Sequence, residues 1–152
     1  MTDRRSYRQY CGLAKALDVV GERWTLLVIR NLLIGPQRYS DLLARLPGIT
    51  TNLLAKRLKG LVEAGVIEKQ TLPAPAASSV YALTERGWAL EPAVHALGSW
   101  GMAQMGPPAE DDRFDIGWAM VSFKRLYKGG HSQTVELTVD GRVFCLHMSP
   151  EY

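Results

Sequence analysis

The chain has 152 residues, of which 47% are hydrophobic and 22% charged, enough for one ordinary globular domain with a buried core. No apolar run reaches the ~18 residues of a membrane span, and Met-Thr-Asp-Arg-Arg at the N-terminus lacks the apolar core of a signal peptide, so a cytoplasmic protein with no membrane partner is expected. The net charge of +3 is unevenly spread: residues 1–70 hold 12 Lys/Arg against 6 Asp/Glu, which points to a polyanionic partner for the front half.

The elements follow in order. Leu13, Ala14, Leu17 and Val20 recur at helical spacing over Cys11–Val20, and Gly21 ends that run. Trp24–Ile34 is predicted as a second helix, apolar nearly all round and therefore central to a small core, stopped by Gly35-Pro36. Tyr39–Leu46 is a third helix, broken by Pro47-Gly48. The fourth starts at Thr50 or Thr51, either of which can cap it, and Gly65 closes it. Two helices joined by a short Pro-Gly turn are a helix-turn-helix signature. Strands are predicted at Val66–Leu72 and Ser79–Thr84, around a small-residue loop at 73–78. Three helices followed by a two-stranded ribbon make a winged helix.

A long helix is then predicted from Thr84 to about Met105, kinked at Pro92. Its apolar residues, among them Trp88, Val94, Leu97 and Trp100, cover more area than this core can bury, which argues for a partner subunit. Residues 106–112 read as a linker. Beyond it, Ile116–Tyr127 reads as an amphipathic helix, and Gln133–Met148 as a β-hairpin around Asp140-Gly141. The expected class is α+β, mainly α. A winged helix with a long dimerisation helix fills residues 1–105, and a small helix-plus-hairpin extension fills 113–152.

The fourth helix carries the functional argument. At ~3.6 residues per turn, Leu54, Leu58, Leu61 and Val62 share one face and Asn52, Lys56 and Lys59 the opposite one. An apolar back with an Asn/Lys front suits a major groove, where Asn pairs with adenine and Lys reaches guanine or phosphate. A solvated helix face is the plainer alternative. Arg57 is expected at the rim, within reach of phosphate. Thr50 and Thr51 offer a cap hydroxyl or a backbone N–H to phosphate, and Arg38 and Ser40 flank the helix that would cross the DNA backbone.

Leu17-Asp18-Val19-Val20-Gly21-Glu22-Arg23-Trp24, Gly35-Pro36-Gln37-Arg38-Tyr39-Ser40-Asp41-Leu42, Leu46-Pro47-Gly48-Ile49, Lys56-Arg57-Leu58-Lys59-Gly60-Leu61 and Tyr81-Ala82-Leu83-Thr84-Glu85-Arg86-Gly87 together resemble the HxlR family of bacterial winged-helix transcriptional regulators. The resemblance covers about residues 11–104. It implies a homodimer that binds double-stranded DNA and pairs through its terminal helices. Two features depart from the family. Thr71–Thr84 contains no Lys or Arg, so the wing lacks the basic residue such wings often carry. Residues 113–148 resemble the opening of a sterol-carrier-like domain, of which only a fraction fits before Tyr152.

Some family members sense electrophiles or oxidants through a cysteine just before the first helix, and Cys11 matches that place. A thiol at a helix N-terminus is more acidic and more reactive, with Arg8 as a further aid, whereas free cysteine is commonly a small buried hydrophobe. Cys11 and Cys145 form no Cys-x-x-Cys pair, and His95, His131 and His147 share no ligand spacing, so neither a disulfide framework nor a metal site is expected. No Ser/His/Asp set or Gly-rich phosphate loop is visible, and neither enzyme activity nor a cofactor is expected.

The leading reading is an operator-binding transcriptional regulator. One rival is a regulator responding to a small-molecule effector, with Trp100, Trp118, Phe123 and Tyr127 lining a site between winged helix and tail. Core and interface packing is the plainer role for those rings. The other rival is a winged helix used only for protein–protein contact.

Overall fold

A computed structural model describes residues 6–73, 78–124, 127, 129–130, 132–139 and 141–148. The chain forms two compact units, residues 1–107 and 108–152.

In the first unit, α1 (Gly12–Val20), α2 (Thr25–Leu32), α3 (Tyr39–Arg45) and α4 (Thr51–Glu63) precede the antiparallel pair β1 (Ile67–Thr71) and β2 (Ser79–Leu83). Helices α5 (Glu85–Trp88) and α6 (Glu91–Met102) follow. The register runs from Ile67 opposite Leu83 to Thr71 opposite Ser79. Gln37 adds a one-residue bridge on β2, exchanging both backbone hydrogen bonds with Tyr81 at 3.0 and 2.8 Å. The core lies where α2, α3 and α4 meet the ribbon. Val28, Ile29, Leu32, Leu42, Leu46, Leu54, Leu58, Leu61, Val66 and Ile67 are all essentially sealed from solvent. This is a winged helix, and residues 74–77 of the expected wing loop lie outside the described residues.

Several sequence expectations are corrected. The second helix starts at Thr25, not Trp24, because Trp24 takes a left-handed conformation at φ 78°. That helix is not apolar to the core all round either, since Leu27 is 40% exposed. The long kinked helix is instead two helices. Thr84 caps α5 by accepting the Gly87 N–H at 3.2 Å, and the chain restarts at Glu91 with Pro92 in the first turn of α6. No intrahelical N–H bond exists in a first turn, so proline begins this helix rather than bending it. Further corrections, at Val62 and Arg57, belong to the interface below.

The second unit holds α7 (Ile116–Lys124) and the hairpin β3 (Gln133–Val139) and β4 (Arg142–Met148). Helix α7 stops short of the expected Tyr127. Asp115 accepts the Gly117 N–H at 2.7 Å at the start of α7 and pairs with Arg142 of β4 at 3.0 Å. Met120 and Val121 are buried. Gly141 has φ 73°, as a tight hairpin turn requires, and Asp140 lies outside the described residues. Among the described residues no helix is long and apolar enough to cross a membrane.

Candidate nucleic-acid interface

Helix α4 is fixed from behind by Leu54, Leu58 and Leu61, each no more than 1% exposed. Successive residues turn by ~100°, so Asn52, Lys56 and Lys59 lie on the far side, and all three are exposed. Val62 does not join the apolar back. It sits ~80° round from Leu54 and is 42% exposed.

The first turn of α4 is held by hydrogen bonds. The Thr50 hydroxyl accepts the Leu53 N–H at 3.3 Å, and the Tyr39 hydroxyl donates to the Thr51 carbonyl at 2.8 Å. The Tyr39 bond locks the start of α3 to the start of α4, which sets the angle of the helix pair. Between them, Gly48 turns the chain at φ 90° under the Trp24 ring, only 3.7 Å from where a Cβ would stand. A side chain there would be strained by the backbone, while its Cβ would stand in ordinary contact with the indole.

The cations separate into roles. No ion pair engages Lys56 among the described residues. Lys59 lies 3.9 Å from Glu63 with both side chains well exposed, a pairing that water screens strongly. Arg57 departs from expectation. It was placed at the rim, open to phosphate, but its side chain is only 13% exposed and its Nη2 sits 2.9 Å from Glu22 Oε2. Its Nε donates to the Arg23 carbonyl at 2.9 Å. Position 57 is ~60° from the buried face, so the side chain meets the turn between α1 and α2 rather than solvent. That clamp joins residues 35 positions apart and left no trace in local sequence.

Arg38 is exposed and donates through Nε to Ser78 Oγ at 3.1 Å, tying the start of α3 to the base of the wing. Ser40 and Thr51 are exposed. Two further cations fall outside the sequence-based set. Arg23 stacks its guanidinium 5.5 Å from the Trp24 ring centroid, and Lys69 is exposed on β1, just before the uncharged part of the wing. A basic residue ahead of a tryptophan was the available signal for the first.

Cys11 is exposed and stands at the N-cap of α1. The backbone N–H groups of Ala14 and then Leu13 stabilise its thiolate and lower its pKa below the ordinary thiol value. Arg8, expected to contribute, is not among the causes. Of the terminal-helix residues, Trp88 is 40% exposed, Leu97 52% and Trp100 70%, while Val94 is half-buried, and no residue of α6 is buried.

The helix pair, ribbon and polar groove face define a winged helix-turn-helix transcriptional regulator. Residues 19–109 match the family model described as HxlR-like helix-turn-helix, and the chain belongs to that family. It is 34% identical over 93 residues to the uncharacterized HTH-type transcriptional regulator YvaP of Bacillus subtilis (strain 168), covering 61% of this chain and 86% of that one. The reduced form of the B. subtilis transcriptional regulator YodB superposes with a TM-score of 0.56 at 31% identity, over 66% of this chain and all of that one. The redox regulator HypR in its oxidized form gives 0.59 at 27% identity, over 63% of this chain and 99% of that one.

Proposed function

We propose that this regulator binds operator DNA as a homodimer, each copy placing α4 in a major groove, in the cytoplasm. The observation that carries the reading is the exposed row of Asn52, Lys56 and Lys59 on a helix whose other side is locked into the core. Asn52 reads a base edge, and Lys56 and Lys59 reach a guanine or a phosphate. The Thr51 N–H, Ser40 and Arg38 contact the backbone on either side. Thr50 acts as the cap, and Arg57 as a brace that fixes the helix against the α1–α2 turn. Dimerisation through α6 would cover Leu97 and Trp100, with Trp88 and Val94 beside them. Two copies of α4 then meet half-sites about one helical turn, ~34 Å, apart. Selecting bound sequences from random duplexes tests the reading. Enrichment of an inverted repeat with that spacing supports it, and no enrichment at low salt refutes it.

A second reading is favoured by one observation, the exposed and acidified thiol of Cys11. In it, oxidation or alkylation of Cys11 changes operator affinity. Treatment with diamide or a quinone should alter DNA binding in the parent protein and leave Cys11→Ser unaffected. Identical responses in the two would end this reading.

A further inference from the structure

Beside the groove face lies a cleft of about 760 Å³ that the operator reading leaves unused. Its volume is in the range of small-molecule sites. One wall is the chain before α1. Ser6 Oγ and the Tyr7 N–H both donate to the Asp18 carboxylate at 2.9 Å, which fixes that segment along the end of α1. The opposite wall is the flank of α4 that carries Lys56 and Gly60.

The chemistry of the walls is lopsided. Two carboxylates are firmly engaged, Asp18 with Ser6 and Tyr7 and Glu22 with Arg57, while Glu63 has a screened approach to Lys59 at 3.9 Å. Lys56, with no ion-pair partner among the described residues, and Lys59 both line the cleft. Tyr7 and Leu17 contribute exposed apolar surface, at 57% and 37%. Gly60 sits mid-helix, where glycine is disfavoured relative to alanine. A Cβ there would meet nothing within 4 Å, so the glycine is not required by packing and leaves the cleft wide.

We propose that this cleft binds small aromatic carboxylates, the carboxylate on the Lys56 and Lys59 ammonium groups and the ring against Tyr7 and Leu17. The effect on operator binding rests on the DNA reading above. Because the same ammonium groups face the duplex, ligand and DNA exclude one another and the ligand acts as an inducer by direct competition.

The test uses 1-naphthoate on the full-length protein, with two readouts. Calorimetry without DNA examines the cleft alone, and a Kd on the order of 1 mM or tighter is expected for a ligand of this size. Anisotropy of a labelled selected duplex, at constant ionic strength, examines competition. Ligand at ten times its own Kd should raise the apparent DNA Kd about elevenfold for each cleft that must be empty, roughly 120-fold for a dimer with both copies of α4 on DNA. Gly60→Leu fills the cleft from a position ~70° round α4 from the centre of the groove face, and should abolish both naphthoate effects while leaving DNA affinity near that of the parent. Absence of naphthoate heat in the parent, or equal heat in Gly60→Leu, overturns the proposal. If naphthoate binds but the protein has no DNA affinity even without it, the operator reading fails and the cleft stands.

Discussion

At the scale of single residues, the arrangement separates side chains that hold α4 from those α4 presents. Lys56→Ala should weaken operator binding by about 1–3 kcal/mol if the ammonium reads a base, or lower the salt slope by about 1 if it meets a phosphate. Arg57→Ala should behave differently. Its guanidinium is spent on Glu22 and the Arg23 carbonyl, so affinity falls through a looser helix while the slope of log K against log salt stays as in the parent. A slope that drops with Arg57→Ala would show that the clamp opens onto DNA. For Cys11, the folded pKa lies below that of the denatured chain, so the thiolate is populated from a lower pH upward. The midpoint of iodoacetamide reactivity against pH should therefore be lower in the folded protein than in urea. Coincident midpoints would contradict the role given to the Ala14 and Leu13 amides.

At the scale of elements, periodicity carried most of the information. Leu54, Leu58 and Leu61 repeat at the helical period and are buried, and the Pro47-Gly48 break falls where the chain turns. What sequence spacing missed has a common cause, contacts made at long range. Trp24 reads as a helix residue by hydropathy, but its ring lies beside Gly48, 24 positions on, and its backbone adopts φ 78°. Arg57 reads as a rim cation, but Glu22 lies within reach only once α1, α2 and α4 have packed. Pro92 reads as a kink because nothing local revealed the break after Trp88. Just before that break, Gly87 lies against the ribbon, where a Cβ would stand 2.2 Å from the Val66 carbonyl oxygen. Gly87→Ala should accordingly cost about 1–3 kcal/mol or more, because the obstacle is backbone, whereas Pro92→Ala should change stability by under about 1 kcal/mol. Urea unfolding of the two variants compares them directly. A mild Gly87→Ala would mean that α5 can lift from the ribbon without loss.

At the scale of the whole molecule, charge and apolar surface point to different partners. The face carrying Asn52, Lys56 and Lys59 is polar and exposed; α6 exposes large apolar side chains, Trp100, Met102 and Leu97. Exposed apolar side chains of this kind suit an association site, and the proposed isologous pair would use them on both copies. Leu97→Asp should turn a dimer into a monomer in sedimentation velocity, with loss of affinity for a two-half-site duplex. Dimers that persist in the variant would place the interface elsewhere. The match to the HxlR-like family ends at residue 109, so α7 and the β3–β4 hairpin are additions to what the family description covers.

The most direct test of the central claim is an anisotropy titration of a selected operator duplex over a series of salt concentrations. It compares the parent protein with a variant carrying Asn52→Ala, Lys56→Ala and Lys59→Ala together. These three side chains are exposed and remote from the core, so the variant should unfold in urea like the parent. The account predicts loss of operator preference and a salt slope reduced by about 1–2. A variant that retains both sequence preference and salt slope would contradict it.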